Sequence, residues 1–337
     1  PGAEPTHTLS FGTGAGDYGA RSLSLAGGAP VSAGAGTLSL RGGIGYRTRD
    51  GIPLSGDVRD PAARHGLRSN SDLDHADGFV ALRWQNQTGR YVGLTATGYR
   101  ARLGVPPELH LSEPRLWRYP SASRTLALFS AGTGPASTPF GLGSLELAAG
   151  ANSGSSELES FENSSYETVV GREAGEELTL NARLFGHHSL PGYGELRAAL
   201  TGVEVRYDER LDGAAPDRYR QRLLSGGLEV QWPVLGGGLV GGGLVHDRAT
   251  TPEAGGKPPL GTLSAWGWRL GATSPELGNG VRLHASVSRR ARFPSLRELY
   301  SGAINPIRAQ SGSSAGAAAW RGGGRDPDAK APRREPA

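Results

Sequence analysis

Leu178-Thr179-Leu180-Asn181-Ala182-Arg183-Leu184 carries an apolar side chain at every even position and a polar one at every odd position. Period-two alternation marks a β-strand, because successive Cβ atoms leave the pleated backbone on opposite faces. Val281-Arg282-Leu283-His284-Ala285-Ser286-Val287 repeats the design. Working outward, apolar residues recur at every second position near Leu23–Leu25, Leu38–Leu40, Val80–Trp84, Leu94–Ala96, Leu126–Leu128, Leu145–Leu147, Leu196–Leu200, Leu228–Trp232 and Leu263–Trp268. Taken as one strand each, the segments give about thirteen, from near Thr6–Gly12 to near Val281–Ala291.

The links between these segments alternate in length. Tight ones at Gln87-Thr88-Gly89-Arg90, His187–Gly192, Pro233 and Ser274–Gly278 are interleaved with long ones at Arg47–Asp77, Pro106–Ser123, Asn152–Gly175, Tyr207–Arg218 and Arg248–Gly261. Short turns on one side and long loops on the other are the construction of outer-membrane barrels, whereas a soluble sandwich mixes its loop lengths. The pattern predicts an all-β protein, an antiparallel meander forming part of a large transmembrane outer-membrane β-barrel. Its apolar phase faces lipid and its polar phase faces the lumen. Segments of roughly nine to thirteen residues suit a tilted bilayer crossing. Leu196, Ala198 and Leu200 are followed by Val203 and Val205, so a β-bulge is predicted at Thr201-Gly202. Trp84 and Tyr91 bracket a tight polar turn, where the residues of an interfacial girdle belong.

Composition bounds the alternatives. The 337 residues include no cysteine, which removes disulfides and thiolate metal sites. No run of about eighteen apolar residues occurs, so spanning helices are excluded while alternating strands are not. The formal net charge of +4 is small for this length, and part of it lies in the last few dozen residues, so nucleic acid is not an expected partner. The chain starts at Pro1 and contains no methionine, which is expected of a mature form or a piece of a longer product.

Ser288-Arg289-Arg290-Ala291-Arg292-Phe293-Pro294-Ser295-Leu296-Arg297-Glu298-Leu299-Tyr300-Ser301 resembles a motif of TonB-dependent outer-membrane receptors, in which a strand ends before Arg-Phe-Pro-(Ser/Thr)-Leu-(Arg/Lys)-Glu-Leu-Tyr. Asn305-Pro306 matches the start of the family's next element, and Ile307-Arg308-Ala309-Gln310 departs from it. The stretch from Leu9 to Leu25 also looks like the family's first barrel hairpin. The resemblance implies a partial barrel over 1–305, with the plug and the TonB-contacting segment preceding Pro1 and further strands following. The rest, 306–337, is expected to be a disordered tail, possibly out of frame, because it lacks alternation and ends rich in Pro and Arg. The resemblance further implies an outer-membrane location and uptake of a scarce nutrient chelate, an iron–siderophore complex first among them. Its implied partners are outer-membrane lipid, the ferric siderophore and the TonB complex. A diffusion porin or an adhesin-like barrel is the alternative, and a soluble β-rich binding protein a third.

The motif also has a reading from its residues. Pro294 stops a strand ladder because it has no N–H to donate, and Ser295 can cap a short helical turn that puts Leu296, Leu299 and Tyr300 on one side. The candidate loop residues are therefore Arg292, Phe293, Pro294, Leu296, Arg297, Glu298, Leu299 and Tyr300, packing over the barrel mouth or touching cargo. Arg41, Arg83, Arg183, Arg197 and Arg282 all fall on the polar phase and are the candidate lumen-facing ligands, suited to an anionic cargo. They could equally pair with Glu146, Glu229 or other carboxylates. His187 and His188, read as a short turn, lack a third ligand at suitable spacing, so no metal site and no cofactor are expected. No Ser–His–Asp or paired-carboxylate pattern stands out, and no enzymatic activity is expected.

Overall fold

The computed structural model describes residues 7–60, 63 and 65–300. Most of them lie in one antiparallel sheet. Its strands are β1 (Thr8–Ala15), β2 (Arg21–Ala33), β3 (Gly36–Arg49), β4 (Leu73–Asn86), β5 (Tyr91–Val105), β6 (Trp117–Gly132), β7 (Ala136–Thr138), β8 (Gly141–Phe161), β9 (Val169–Leu190), β10 (Gly194–Leu211), β11 (Asp217–Val234), β12 (Gly238–Ala254), β13 (Leu263–Thr273) and β14 (His284–Arg289). A helix, α1, spans Leu296–Tyr300. Each strand pairs with its neighbours in sequence, except that the short β7 sits beside β8 off the main path. Among the described residues β1 pairs only with β2 and β14 only with β13, so the ladder has two free edges.

Register brings the apolar positions of successive strands into line. Leu40 faces Leu82, Leu82 faces Leu94, and Leu94 faces Phe129. Farther along, Leu147 faces Leu184 and Leu184 faces Leu200, while Leu228, Leu244 and Trp268 form a row across β11 to β13. These side chains stay in the open, with Leu244 60% and Leu228 50% exposed. A continuous apolar row that no second layer covers is unstable in water and natural in lipid.

The buried residues lie elsewhere. Ala101, Leu158, Tyr207, Tyr219, Ala249 and Ala254 are all at the same end of their strands, the end carrying the connections 16–20, 50–72, 106–116, 162–168, 212–216 and 255–262. The opposite end carries 34–35, 87–90, 133–140, 191–193, 235–237 and 274–283. The difference in connection length is smaller than the sequence implies, because the strands run on into the stretches read as loops. β8 has 21 residues and β9 has 22. At 3.3 Å per residue β9 spans about 70 Å, far beyond an apolar band of ~25 Å, so this hairpin projects well past the row of leucines.

Five local expectations need correction. No bulge occurs at Thr201-Gly202, where the register with both neighbours runs unbroken. Val203 and Val205 instead occupy the inner face, and Val205 packs against the buried tyrosines there. Most of the register shifts that do occur lie near prolines, the one between Ser160 and Phe161 being the exception. One falls beside Pro120, where Leu103 pairs with Tyr119 but Ala101 with Ala122. Another falls at Pro252, where Arg220 pairs with Glu253 but Arg222 with Thr250. Proline cannot donate to a ladder, so an extra residue is accommodated beside it. In β6 the outward row is Ala127, Phe129 and Ala131, since Phe129 faces Leu94, which puts Leu126 and Leu128 on the inner face. Trp84 and Tyr91 lie on opposite faces: Trp84 pairs with Val92 in the apolar row, while Tyr91 pairs with Gln85. His187 and His188 belong to β9, and β14 begins only at His284, leaving Val281, Arg282 and Leu283 in the connection before it.

At the β9–β10 turn Gly194 has φ +104, and a Cβ there would overlap the carbonyl oxygen of Gln231. The turn requires glycine for both reasons. Asn86 and Asn163 are turn devices as well. Asn86 Oδ1 accepts from the backbone N–H groups of Thr88 and Arg90 at 3.0 and 2.9 Å. Asn163 Oδ1 accepts from Ser165 N at 2.9 Å. Both are Asx turns.

Candidate functional site

The predicted inner-face arginines separate into groups. On β3 and β4, Arg41 and Arg83 line one concavity of about 1000 Å³ together with Thr8, Ser10, Ser39 and Gln85. Pairing of Ser39 with Arg83, and of Arg41 with Ala81, puts the two arginines on the same face of adjacent strands. The Arg83 guanidinium lies 3.9 Å from the Tyr91 ring centre and donates to Gln85 Oε1 at 3.3 Å. Stacking of this kind fixes a guanidinium in place without cancelling its charge.

Arg197 is differently placed. Its terminal nitrogens lie 2.6 Å from Glu195 and 3.5 Å from Glu229, so this arginine is an internal ion pair of the wall. Arg183 sits on β9 over the ring of Phe185, 5.2 Å from its centre. Arg282 lies in the β13–β14 connection, outside the strands. The structure therefore brings together two of the five arginines.

The motif loop folds back onto the wall. Ser295 and Glu298 form a reciprocal cap: Ser295 N donates to Glu298 Oε2 at 2.8 Å, and Glu298 N donates to Ser295 Oγ at 3.4 Å. Arg292 pairs with the same carboxylate. The Glu298 carboxyl is held below its ordinary value, first by the Ser295 N–H and then by bonds from Arg292 and the Ser295 hydroxyl. Leu296 and Tyr300 enter a buried cluster with Tyr207, Tyr219 and Ala254, against which Leu299 also packs. The rings of Tyr207, Tyr219 and Tyr300 stack in sequence with centroids 6.1 Å apart at each step. Tyr300 Oη accepts from Leu260 N at 2.7 Å, Lys257 donates to the Tyr300 carbonyl, and Gln221 Nε2 donates to the Pro294 carbonyl at 3.0 Å. Phe293 is half-buried, whereas Arg292 and Glu298 are exposed. Asn305-Pro306 and the expected tail lie outside the described residues.

Two polar assemblies escaped the sequence reading. Connection 50–72 is pinned down by its own side chains: Asn70 donates to the carbonyls of Val105 and Trp117, and Arg118 bridges Asn70 and Asp72 at 2.8 and 2.9 Å. Nothing in local sequence pairs residue 70 with residue 118. The second is an arginine cluster on the outward side of β10 and β11. Its signal was present in Arg218-Tyr219-Arg220-Gln221-Arg222, an alternation hidden by reading part of it as loop.

No family model matches the chain, and no curated protein matches it. Among solved structures, the copper transporter OprC superposes with a TM-score of 0.68 at 15% sequence identity, covering 88% of this chain and 48% of OprC. The fold is the wall of a large outer-membrane-type β-barrel. This chain spans about half the length of the transporter it matches. At that identity the likeness carries the architecture and no residue role.

Proposed function

We propose that this chain is part of a TonB-dependent outer-membrane receptor that takes up a scarce nutrient chelate without covalent chemistry. The observation that carries the reading is the division of one sheet into two faces. The outward face presents an uncovered apolar row in register across the strands, while the inward face presents a polar concavity with Arg41 and Arg83. The residues at Arg289–Tyr300 that resemble the receptor motif support it, as does the fold shared with a transporter. In this reading the side of the long connections faces the exterior, outer-membrane lipid covers the apolar row, and the TonB complex acts through sequence outside this chain.

An iron–siderophore is the proposed cargo. Two arginines on one concave face attract an anionic chelate. A copper complex is the second reading, favoured by the likeness to OprC. The deciding experiment is growth of a receptor-deficient strain carrying the full-length protein, under iron or copper limitation, with a panel of siderophores. Iron-limited rescue by an anionic siderophore is expected, with uptake reduced about tenfold by Arg41→Glu with Arg83→Glu, equivalent to about 1.4 kcal/mol of binding. Rescue only under copper limitation selects the second reading. Uptake that persists without an energised inner membrane sinks both and leaves a diffusion porin.

A further inference from the structure

We propose that Arg206, Arg220 and Arg222, gathered on Glu204, form a binding site for the phosphate of an anionic lipid headgroup on the outward face of the wall. The inference rests on the membrane-spanning reading above. Strand alternation fixes the side: Tyr207, Tyr219 and Gln221 are buried on the inner face, so their neighbours Arg206, Arg220 and Arg222 point outward. Pairing of Arg206 with Arg220, and of Glu204 with Arg222, brings the four together.

The Glu204 carboxylate lies 2.6 Å from Arg206 Nη2, 2.8 Å from Arg220 Nη2 and 2.7 Å from Arg222 Nε. Glu253 lies 3.4 Å from Arg220 Nη1. Three guanidinium groups thus converge on one carboxylate, with a second at the cluster's edge, and positive charge is left over. Arg222 uses Nε on Glu204, which leaves its terminal nitrogens for another acceptor, and its side chain is 54% exposed. A phosphate oxygen is the acceptor whose geometry matches a guanidinium fork.

The position favours a lipid over free phosphate. Leu180 is the register partner of Glu204 and Leu178 that of Arg206, while Leu224 follows Arg222 by two residues on the same outward phase and is 52% exposed. The cluster therefore sits where the apolar row ends, at headgroup level for a lipid whose acyl chains lie on those leucines. Basic side chains at that level draw anionic headgroups.

The test uses the full-length protein folded in mild detergent, with its unfolding midpoint measured in diphosphorylated lipid A, dephosphorylated lipid A, or inorganic phosphate at matched phosphate concentration. A ligand that binds only the folded state raises the midpoint. A rise with the phosphorylated lipid alone is expected. It should be mostly lost in R206Q/R222Q, partly lost in R222Q, and retained in the inner-face pair R41Q/R83Q. An equal rise with dephosphorylated lipid, an equal rise with inorganic phosphate, or an undiminished rise in R222Q overturns the proposal. Should R206Q/R222Q not fold, R222Q alone decides, because its side chain is exposed. The readout needs only a folded barrel in detergent. A failed uptake assay therefore leaves it standing, and a missing lipid effect with intact uptake removes this site alone.

Discussion

Leu228, Leu244 and Leu270 stand half or more exposed at mid-wall, whereas Tyr219, near the start of β11, is 2% exposed and Tyr207 on β10 is 9%. The same sheet buries its large side chains at one end and displays them in the middle. The difference follows from the surroundings each level meets. In the proposed membrane setting the solvent for an outward leucine at mid-wall is hydrocarbon, so exposure costs nothing and no second layer is built. At the mouth the chain is in water, and α1 must return to cover the inner tyrosines as an ordinary core would.

The largest effect should come from the mouth. Tyr219→Ala removes the central ring of the stack and should cost about 3–5 kcal/mol, by analogy with other aromatic truncations in cores. Reversible unfolding in denaturant measures it, with hydrogen exchange at residues 295–300 as the local readout. A loss under 1 kcal/mol, or protection of α1 unchanged, would mean the cluster is not a core.

Next is Leu244→Arg at mid-wall. If lipid covers this row, the substitution should destabilise the protein in vesicles by ~2–4 kcal/mol near the bilayer midplane. An exposed leucine in water tolerates such a change within about 0.5 kcal/mol. A neutral result would therefore erase the contrast between the two levels.

Ser295→Ala sharpens the mouth side of the comparison. It removes the hydroxyl that accepts from Glu298 N and should cost about 1 kcal/mol. The loss should appear as faster exchange in α1 while the strands at mid-wall remain unchanged. Equal acceleration in both regions would show that α1 is not a separate layer.

The smallest effect is electrostatic and confined to connection 106–116. The Glu108 carboxyl is pulled from 4.5 to about 2, chiefly by the hydrogen bond from the Arg115 side chain and next by the Arg115 N–H. Because the folded value is depressed, the tether is fully present above 4.5 and is lost as the pH falls through about 2. Exchange of the Arg115 amide should accelerate over that window, and Glu108→Gln should remove the pH dependence. Acceleration already complete at pH 5 would contradict the pairing.

Sequence alone determined the strands and their outward phase over most of the wall. Leu178–Leu184 and Leu228–Trp232 alternate because successive side chains leave a strand on opposite faces, and the apolar and polar demands of the two faces are written residue by residue. The Ser295–Glu298 cap was half legible, since the serine's role depends only on its own turn. What tertiary structure decided was everything that depends on register between distant strands. Val203 and Val205 looked like a slipped phase because sequence cannot show that Tyr207 and Tyr219 make the inner face apolar at the mouth. Arg41 and Arg83 meet in one concavity while Arg197 is neutralised by Glu195 and Glu229, although all three share the polar phase. Alternation specifies a face. Which charges stand together on it is set by ladder pairing across residues far apart in the chain, which the local pattern does not encode.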